Sequence, residues 1–342
     1  LNLPDIPIAD IWVEETDLVI ATHGRSFYVL DDIDPLRQFG APVASTTDVF
    51  LFAPADAIRT TPGATIKYWV KQPVQNLTID VLDKAGAVIR TFGAAAVPSP
   101  AEAPAGRAGG RGGGGGGRGG PALSTSPGLN SVTWDLRYPG YTSFSPMILW
   151  GAGGAGAGPV APPGTYTVRL SANGRTQTQT FRVKRNHLLT DVSDADLQAQ
   201  FDLAIQIRDK TTEANNAVIQ IRSIKSQVDD RLTKSPDAQL KTAGDSLKKN
   251  LSAVEEEIYQ VRNQSGQDPL NFPIKINNRL ASLFSVVTRG EGRPIGNAAP
   301  ILKSLTAELK VQTDRLAKVL GTDLAAFNTE AKRVGLPPVS EK

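Results

Sequence analysis

Two rhythms of hydrophobic positions divide the chain near Asn186. Before it, apolar residues alternate with polar ones over short runs. Ile66, Tyr68 and Val70 share one side while Lys67, Trp69 and Lys71 share the other, the period of two that a half-buried strand requires. Leu77, Ile79 and Val81 repeat it, and residues 83–86 then turn the chain into Val88-Ile-Arg-Thr-Phe92. Val132, Trp134 and Leu136 follow, then Tyr166, Val168 and Leu170. Asn173-Gly174 marks a tight hairpin into residues 178–183. Short strands at this spacing predict a β-sandwich.

After Asn186 the spacing changes to three and four. Asp191-Val-Ser-Asp194 supplies helix caps, and Leu197, Phe201 and Ile205 open a stripe continued by Val218, Ile221, Val228 and Leu232. Ser235-Pro236 stops that helix and starts another, striped by Leu240, Ala243, Leu247, Leu251, Val254, Ile258 and Val261. Shorter stripes follow at 276–287 and 302–319, with a last helix at 323–334. The link at 233–236 is short enough to fold the two long helices back on each other. The expectation is a chain of several domains, β then α, ending in an antiparallel helical bundle.

The most specific signal lies earlier. Residues 18–21 and 27–30 are apolar, and His23-Gly24-Arg25 between them supplies a reversal. Two strands cannot bury a sheet face alone, so this hairpin must belong to something larger. Thr22-His23-Gly24-Arg25, an aromatic strand beginning at Phe27, and Asp31-Asp32 together resemble the closing blade of secreted bacterial β-propellers of the sortilin-like, BNR (Asp-box) family. That resemblance implies that the chain begins where a propeller ends, a reading with which Leu at position 1 agrees. It also implies a secreted, periplasmic or cell-surface bacterial protein, often labelled glycosyl hydrolase.

A second likeness covers residues 130–137 and 162–169. Asn-Ser-Val-Thr-Trp-Asp-Leu-Arg followed by Pro-Pro-Gly-Thr-Tyr-Thr-Val-Arg resembles the Ig-like domain of flagellar hook-cap proteins. There Trp134 would be a core residue and the Pro-Gly-Thr-Tyr run the turn into the penultimate strand. The implied division is residues 1–40 as the last strands of a propeller blade, 41–186 as an Ig-like sandwich and 187–342 as a helical bundle. Two insertions interrupt the sandwich. Residues 94–127 hold Arg107, Arg111 and Arg118 within a glycine-rich run and read as a disordered loop. Residues 138–160 carry Tyr138, Tyr141, Phe144, Met147, Leu149 and Trp150, an aromatic cluster that reads as a packing interface.

Composition narrows the chemistry. The 342 residues carry a formal charge of only +3, so no basic field argues for nucleic acid. There is no cysteine, which removes disulfides, thiol catalysis and cysteine-held zinc. Two histidines, His23 and His187, lie far apart in sequence. Asp31, Asp32 and Asp34 are the one carboxylate cluster that suggests calcium, although Asp at a strand end more often caps the next turn. Glu255-Glu-Glu257 reads as an ordinary charged helix face, open to solvent on at least two of its positions. No stretch is apolar enough to span a bilayer.

These features assign no catalytic residue, cofactor or metal to the chain. The paired carboxylates of a glycosidase would have to lie in a propeller outside it. The first expectation is a non-catalytic region for domain packing and assembly, with the propeller or another copy of the protein as partner. A glycan-binding accessory region is the alternative, with Trp69, Tyr141 and Trp150 as stacking candidates. A third reading has the hairpin pair with another copy's sheet, which an open edge would favour.

Overall fold

The structure is a computed structural model that describes residues 5–40, 48–59, 62–74, 76–93, 123–152 and 156–341. Sheets come first and helices follow. The chain divides into a β unit, which includes Val160–Thr190, and a helical unit, which includes Pro139–Pro159 and everything from Asp191 onward.

The β unit opens with an antiparallel three-stranded sheet, β1 (Ile8–Val13), β2 (Leu18–Thr22) and β3 (Phe27–Leu30). The expected hairpin is therefore two-thirds of a meander. Its first strand is hard to see in Ile-Ala-Asp-Ile-Trp-Val because the β1–β2 register slips between Ile8 and Asp10, which breaks the alternation. The β2–β3 reversal closes where the Thr22 N–H and hydroxyl both donate to the Ser26 carbonyl, at 3.1 and 2.6 Å. Gly24 takes φ +81° there, a left-handed backbone that glycine adopts without strain. A short helix, α1 (Asp34–Gln38), follows β3.

Two further sheets enclose one core. The smaller has the order β4 (Val49–Leu51), β6 (Ala64–Val70), β9 (Gly128–Trp134). The larger runs β5 (Ala57–Ile58), β13 (Arg175–Lys184), β12 (Gly164–Ala172), β7 (Thr78–Leu82), β8 (Val88–Phe92). The period-two pattern is realised residue by residue: Ile66, Tyr68 and Val70 are fully buried, as are Ile79, Val81 and Val168. Trp134 sits among them against Tyr166 and Phe181, and its indole N–H donates to the Arg137 carbonyl at 3.0 Å. The Tyr166 hydroxyl donates to the Pro162 carbonyl four residues upstream, at 2.8 Å. Asn173 and Gly174, at φ +50° and +75°, form the two-residue β12–β13 turn, the primed geometry whose twist suits a hairpin. Gln177 stitches the two sheets together: its amide accepts from the Leu51 N–H at 2.9 Å and donates to the Val49 carbonyl at 2.7 Å.

Most of the glycine-rich insertion, residues 94–122, lies outside the described residues. Its last part, residues 123–127, has no regular secondary structure but is anchored. Leu123 packs on the β core, and the Ser124 carbonyl accepts from the Tyr68 hydroxyl at 2.8 Å. The aromatic insertion leaves and returns through a small two-stranded ladder, β10 (Arg137–Pro139) and β11 (Ala157–Val160).

The helical unit is built on α2 (Asp194–Lys234), a 41-residue helix, and α3 (Ala238–Ile258). Ser193 and Asp196 form a reciprocal capping box at the start of α2, and Asp237 caps α3 by accepting from the Gln239 and Leu240 N–H groups. The two helices are antiparallel: Lys248 bridges to Asp229, and Glu255, about two turns further along α3, reaches Lys225 and Arg222, about one and two turns earlier on α2. Next come α4 (Ile276–Val287) and α5 (Ala298–Val319). The two terminal helices expected from the sequence are joined by a π turn (Leu320–Leu324) that runs directly into α6 (Ala325–Arg333). Ile221, Leu247, Leu251, Leu280, Leu309 and Phe327 lie in their common core.

Candidate interaction surface

Register places the side chains of the meander on two faces. Trp12, Val19 and Val29 share one face with Ala21 and Phe27. Ile11, Ile20 and Tyr28 share the other with Val13, Leu18 and Leu30. Both faces are apolar, and both are open: Trp12 is 62% exposed and Phe27 70% on the first, Val13 60% on the second. A sheet that covers a single core needs one apolar face only. By contrast, the outward face of the larger sheet of the β unit is polar, carrying Thr167, Arg169, Thr178 and Thr180.

The motif residues divide by role. Thr22 makes the turn, and His23, Gly24 and Arg25 stand exposed at its tip, with the His23 N–H donating to the Pro7 carbonyl at 3.0 Å. Asp32 anchors the end of the meander. Its N–H donates to the Asp17 carboxylate at 3.0 Å, and its own carboxylate meets Lys67 of β6 at 3.0 Å. Asp34 pairs with Arg37 at 3.1 Å, and Asp31 is exposed. Two of the three carboxylates that suggested calcium thus pair with basic side chains. Among the described residues, no group of three or more His, Asp or Glu side chains is placed to hold a metal. His187 is exposed beyond β13, far in sequence from His23.

The aromatic candidates are not gathered on one surface. Trp69 lies edge-on against Phe39, 5.3 Å between ring centres. Tyr138 is half-buried against the β core. The others belong to a strap, residues 140–152, laid on the helices. Tyr141 is buried edge-on against Phe284 at 5.9 Å, and Phe144 meets Tyr259 at 5.1 Å. The Arg222 guanidinium lies 4.7 Å from the Phe144 ring and 5.2 Å from Tyr259.

The strap's backbone is held by helix side chains. Thr142 donates its N–H to the Thr212 hydroxyl (3.1 Å) and accepts from the Asn215 amide (2.7 Å). The Ile148 N–H donates to the Tyr259 hydroxyl (3.1 Å). Asn277 donates to Asn215 at 3.1 Å, so the strap is tied to α4 through α2. An extended segment cannot satisfy its own backbone, and these buried amides replace the water it loses.

Sequence reasoning missed two contributors here. Glu256 and Glu257 face solvent, as expected of at least two of the three glutamates, but Glu255 is buried and accepts from Arg222 and Lys225 at 2.7 and 2.8 Å. Asn215 and Asn277 are fully buried; the available signal was polar residues falling on the apolar stripe of an amphipathic helix. Burial raises the phenols of Tyr68, Tyr141 and Tyr166 above the usual tyrosine value.

A groove of about 840 Å³ in the helical unit runs along Thr212, Asn216 and Ile219 of α2, Leu316 of α5 and Leu320 of the π turn. No helix among the described residues is long and apolar enough to cross a membrane. No family model and no curated protein matches this chain.

Proposed function

We propose that this chain is a non-catalytic packing and assembly region of a secreted bacterial β-propeller protein. One observation carries the reading: the β1–β3 sheet presents apolar side chains on both faces. A propeller blade has that property, because each blade is a sheet pressed between two neighbours. Covering Trp12, Phe27 and Val13 would each contribute about 1.5–3 kcal/mol.

The rest of the β unit fits an Ig-like spacer. It has two sheets around one core, a buried Trp134, and a Tyr166 hydroxyl bonded back to the upstream backbone, as in the tyrosine corner of such domains. The helices fit a bundle whose core is completed by the strap. The glycan-binding alternative keeps one exposed stacking candidate of its three, Trp150, whereas Tyr141 is buried and half-buried Trp69 meets Phe39. Catalysis in the parent protein, if it occurs, belongs to the propeller in this reading.

Peptide mass spectrometry on the mature protein from its natural source tests this reading. Peptides upstream of Leu1 that carry repeated four-strand blade patterns support it. A mature protein whose first residue is Leu1 contradicts it.

A further inference from the structure

A segment with no regular structure already lies along α2. Residues 337–341 run antiparallel to it, and helix side chains take their backbone groups in turn. Arg231 donates to the Pro337 carbonyl at 3.0 Å. Asn328 of α6 grips Val339 twice, accepting from its N–H at 2.7 Å and donating to its carbonyl at 3.1 Å. Gln227 grips Ser340 in the same way, at 2.9 and 3.1 Å. Gln220 donates to the Glu341 carbonyl at 3.0 Å. The Val339 side chain is buried in the helical core. The bundle thus holds this tail by its backbone, with one apolar side chain as the anchor.

The track continues past the tail. Arg231, Gln227 and Gln220 stand along one side of α2, and Asn216 is next in that row, one turn beyond Gln220. Asn216 is exposed, and its side-chain amide makes no hydrogen bond among the described residues. Gln220, Glu341 and Asn216 all line the groove of about 840 Å³, together with apolar Ala217, Leu316 and Leu320. From Gln220 to Asp209, the lining residue nearest the start of α2, the helix rises about 16 Å, the length of about five extended residues. The groove therefore offers what the tail's seat offers: an apolar floor beside a row of side-chain amides.

We infer that this groove binds an extended peptide segment of a partner protein, with its backbone held by Asn216 and an apolar side chain against Ala217, Leu316 and Leu320. An extended segment cannot satisfy its own backbone, and the seated tail shows how this face of α2 does so. An acyl chain has no use for the amide row, and a glycan has none for the apolar floor. The charged lining residues are Asp209, Glu213 and Glu341, the first two paired with Arg208 and Lys210 along α2, so an acidic segment is disfavoured. The inference concerns the helical unit and not the meander, so its failure leaves the proposed function standing.

The test uses the full chain and random heptapeptides displayed on phage, the best of them resynthesised with a fluorophore. Fluorescence polarisation should give a Kd of about 100 μM or tighter. Ala317→Trp puts a bulky ring into the groove from an exposed position of α5 and should weaken binding by about tenfold or more. Asn216→Ala should weaken it by about threefold to tenfold. Circular dichroism and the unfolding midpoint of both variants should match the parent, since both positions are exposed. A library that yields no peptide of this affinity overturns the inference, and so does a peptide whose binding ignores either variant. Uptake of the apolar dye ANS that Ala317→Trp blocks, with no peptide bound, gives the groove to an acyl chain and overturns it too. A chain whose self-association is lost in Ala317→Trp gives the groove to a second copy, with the same result.

Discussion

Asn278 grips Trp150 by both halves of its backbone: the Trp150 N–H donates to the Asn278 Oδ1 at 2.7 Å, and the Asn278 Nδ2 donates to the Trp150 carbonyl at 2.8 Å. Asn278 is 3% exposed, in the first turn of α4. The amide therefore acts as a short stretch of strand for a strap that has no strand beside it. Asn278→Ala should destabilise the helical unit by about 1–3 kcal/mol, the usual cost of leaving buried partners unpaired. Chymotrypsin should then cut after Phe144 faster than in the parent, a readout that reports the strap itself. Unchanged cleavage would mean that the aromatic contacts hold the strap without Asn278.

Buried phenols set an alkaline limit. The folded-state values of Tyr68, Tyr141 and Tyr166 lie above the ordinary value of 10.0, chiefly through burial. The unfolded chain releases these protons first as pH rises. Stability from this source is full below about pH 10 and falls above it. Urea unfolding at pH 8 and pH 11 should show the loss, and Tyr141→Phe should reduce it.

Glu255 should matter more than the exposed pairs. It is buried between Arg222 and Lys225, and Glu255→Gln leaves two cations without their counter-charge. A cost of about 2–4 kcal/mol is expected, with little change in 1 M salt. Arg279→Ala removes an exposed bridge to Glu308 and should cost under about 1 kcal/mol. Denaturant midpoints of the two variants give the comparison.

Two glycines separate backbone strain from crowding. Gly63 (φ +110°) and Gly86 (φ +82°) both take left-handed backbone, but a Cβ on Gly63 would sit 2.1 Å from the Trp134 carbonyl oxygen, while one on Gly86 meets open space. Gly86→Ala should cost about 1–2 kcal/mol. Gly63→Ala should cost clearly more, because β9 must move away from β6. Melting temperatures of the pair decide the matter.

Much of this architecture could be read from spacing. The β6 and β12 alternations, the Asn173-Gly174 turn and the Ser193 cap each act locally, so a short window of sequence carries them. β1 escaped because its register slip erases the alternation that defines a strand. β4 and β5 are only three and two residues long, too short for any periodicity. The strap's aromatic content was visible, but its partners Asn215, Tyr259 and Asn278 lie 73, 111 and 128 positions from the residues they bind. No local pattern spans such distances. The two open faces of the meander needed the register of all three strands, and only the structure supplies it.

The most direct test of the central claim is hydroxyl-radical footprinting of Trp12 and Phe27 in the protein purified from its natural source. The 342-residue chain serves as the comparison, and buried Trp134 as the internal reference. The account predicts that both residues are several-fold less reactive in the natural protein, because the two faces of the meander are covered there. Equal reactivity in the two samples would mean that the faces stay open to water, and the packing role would fall.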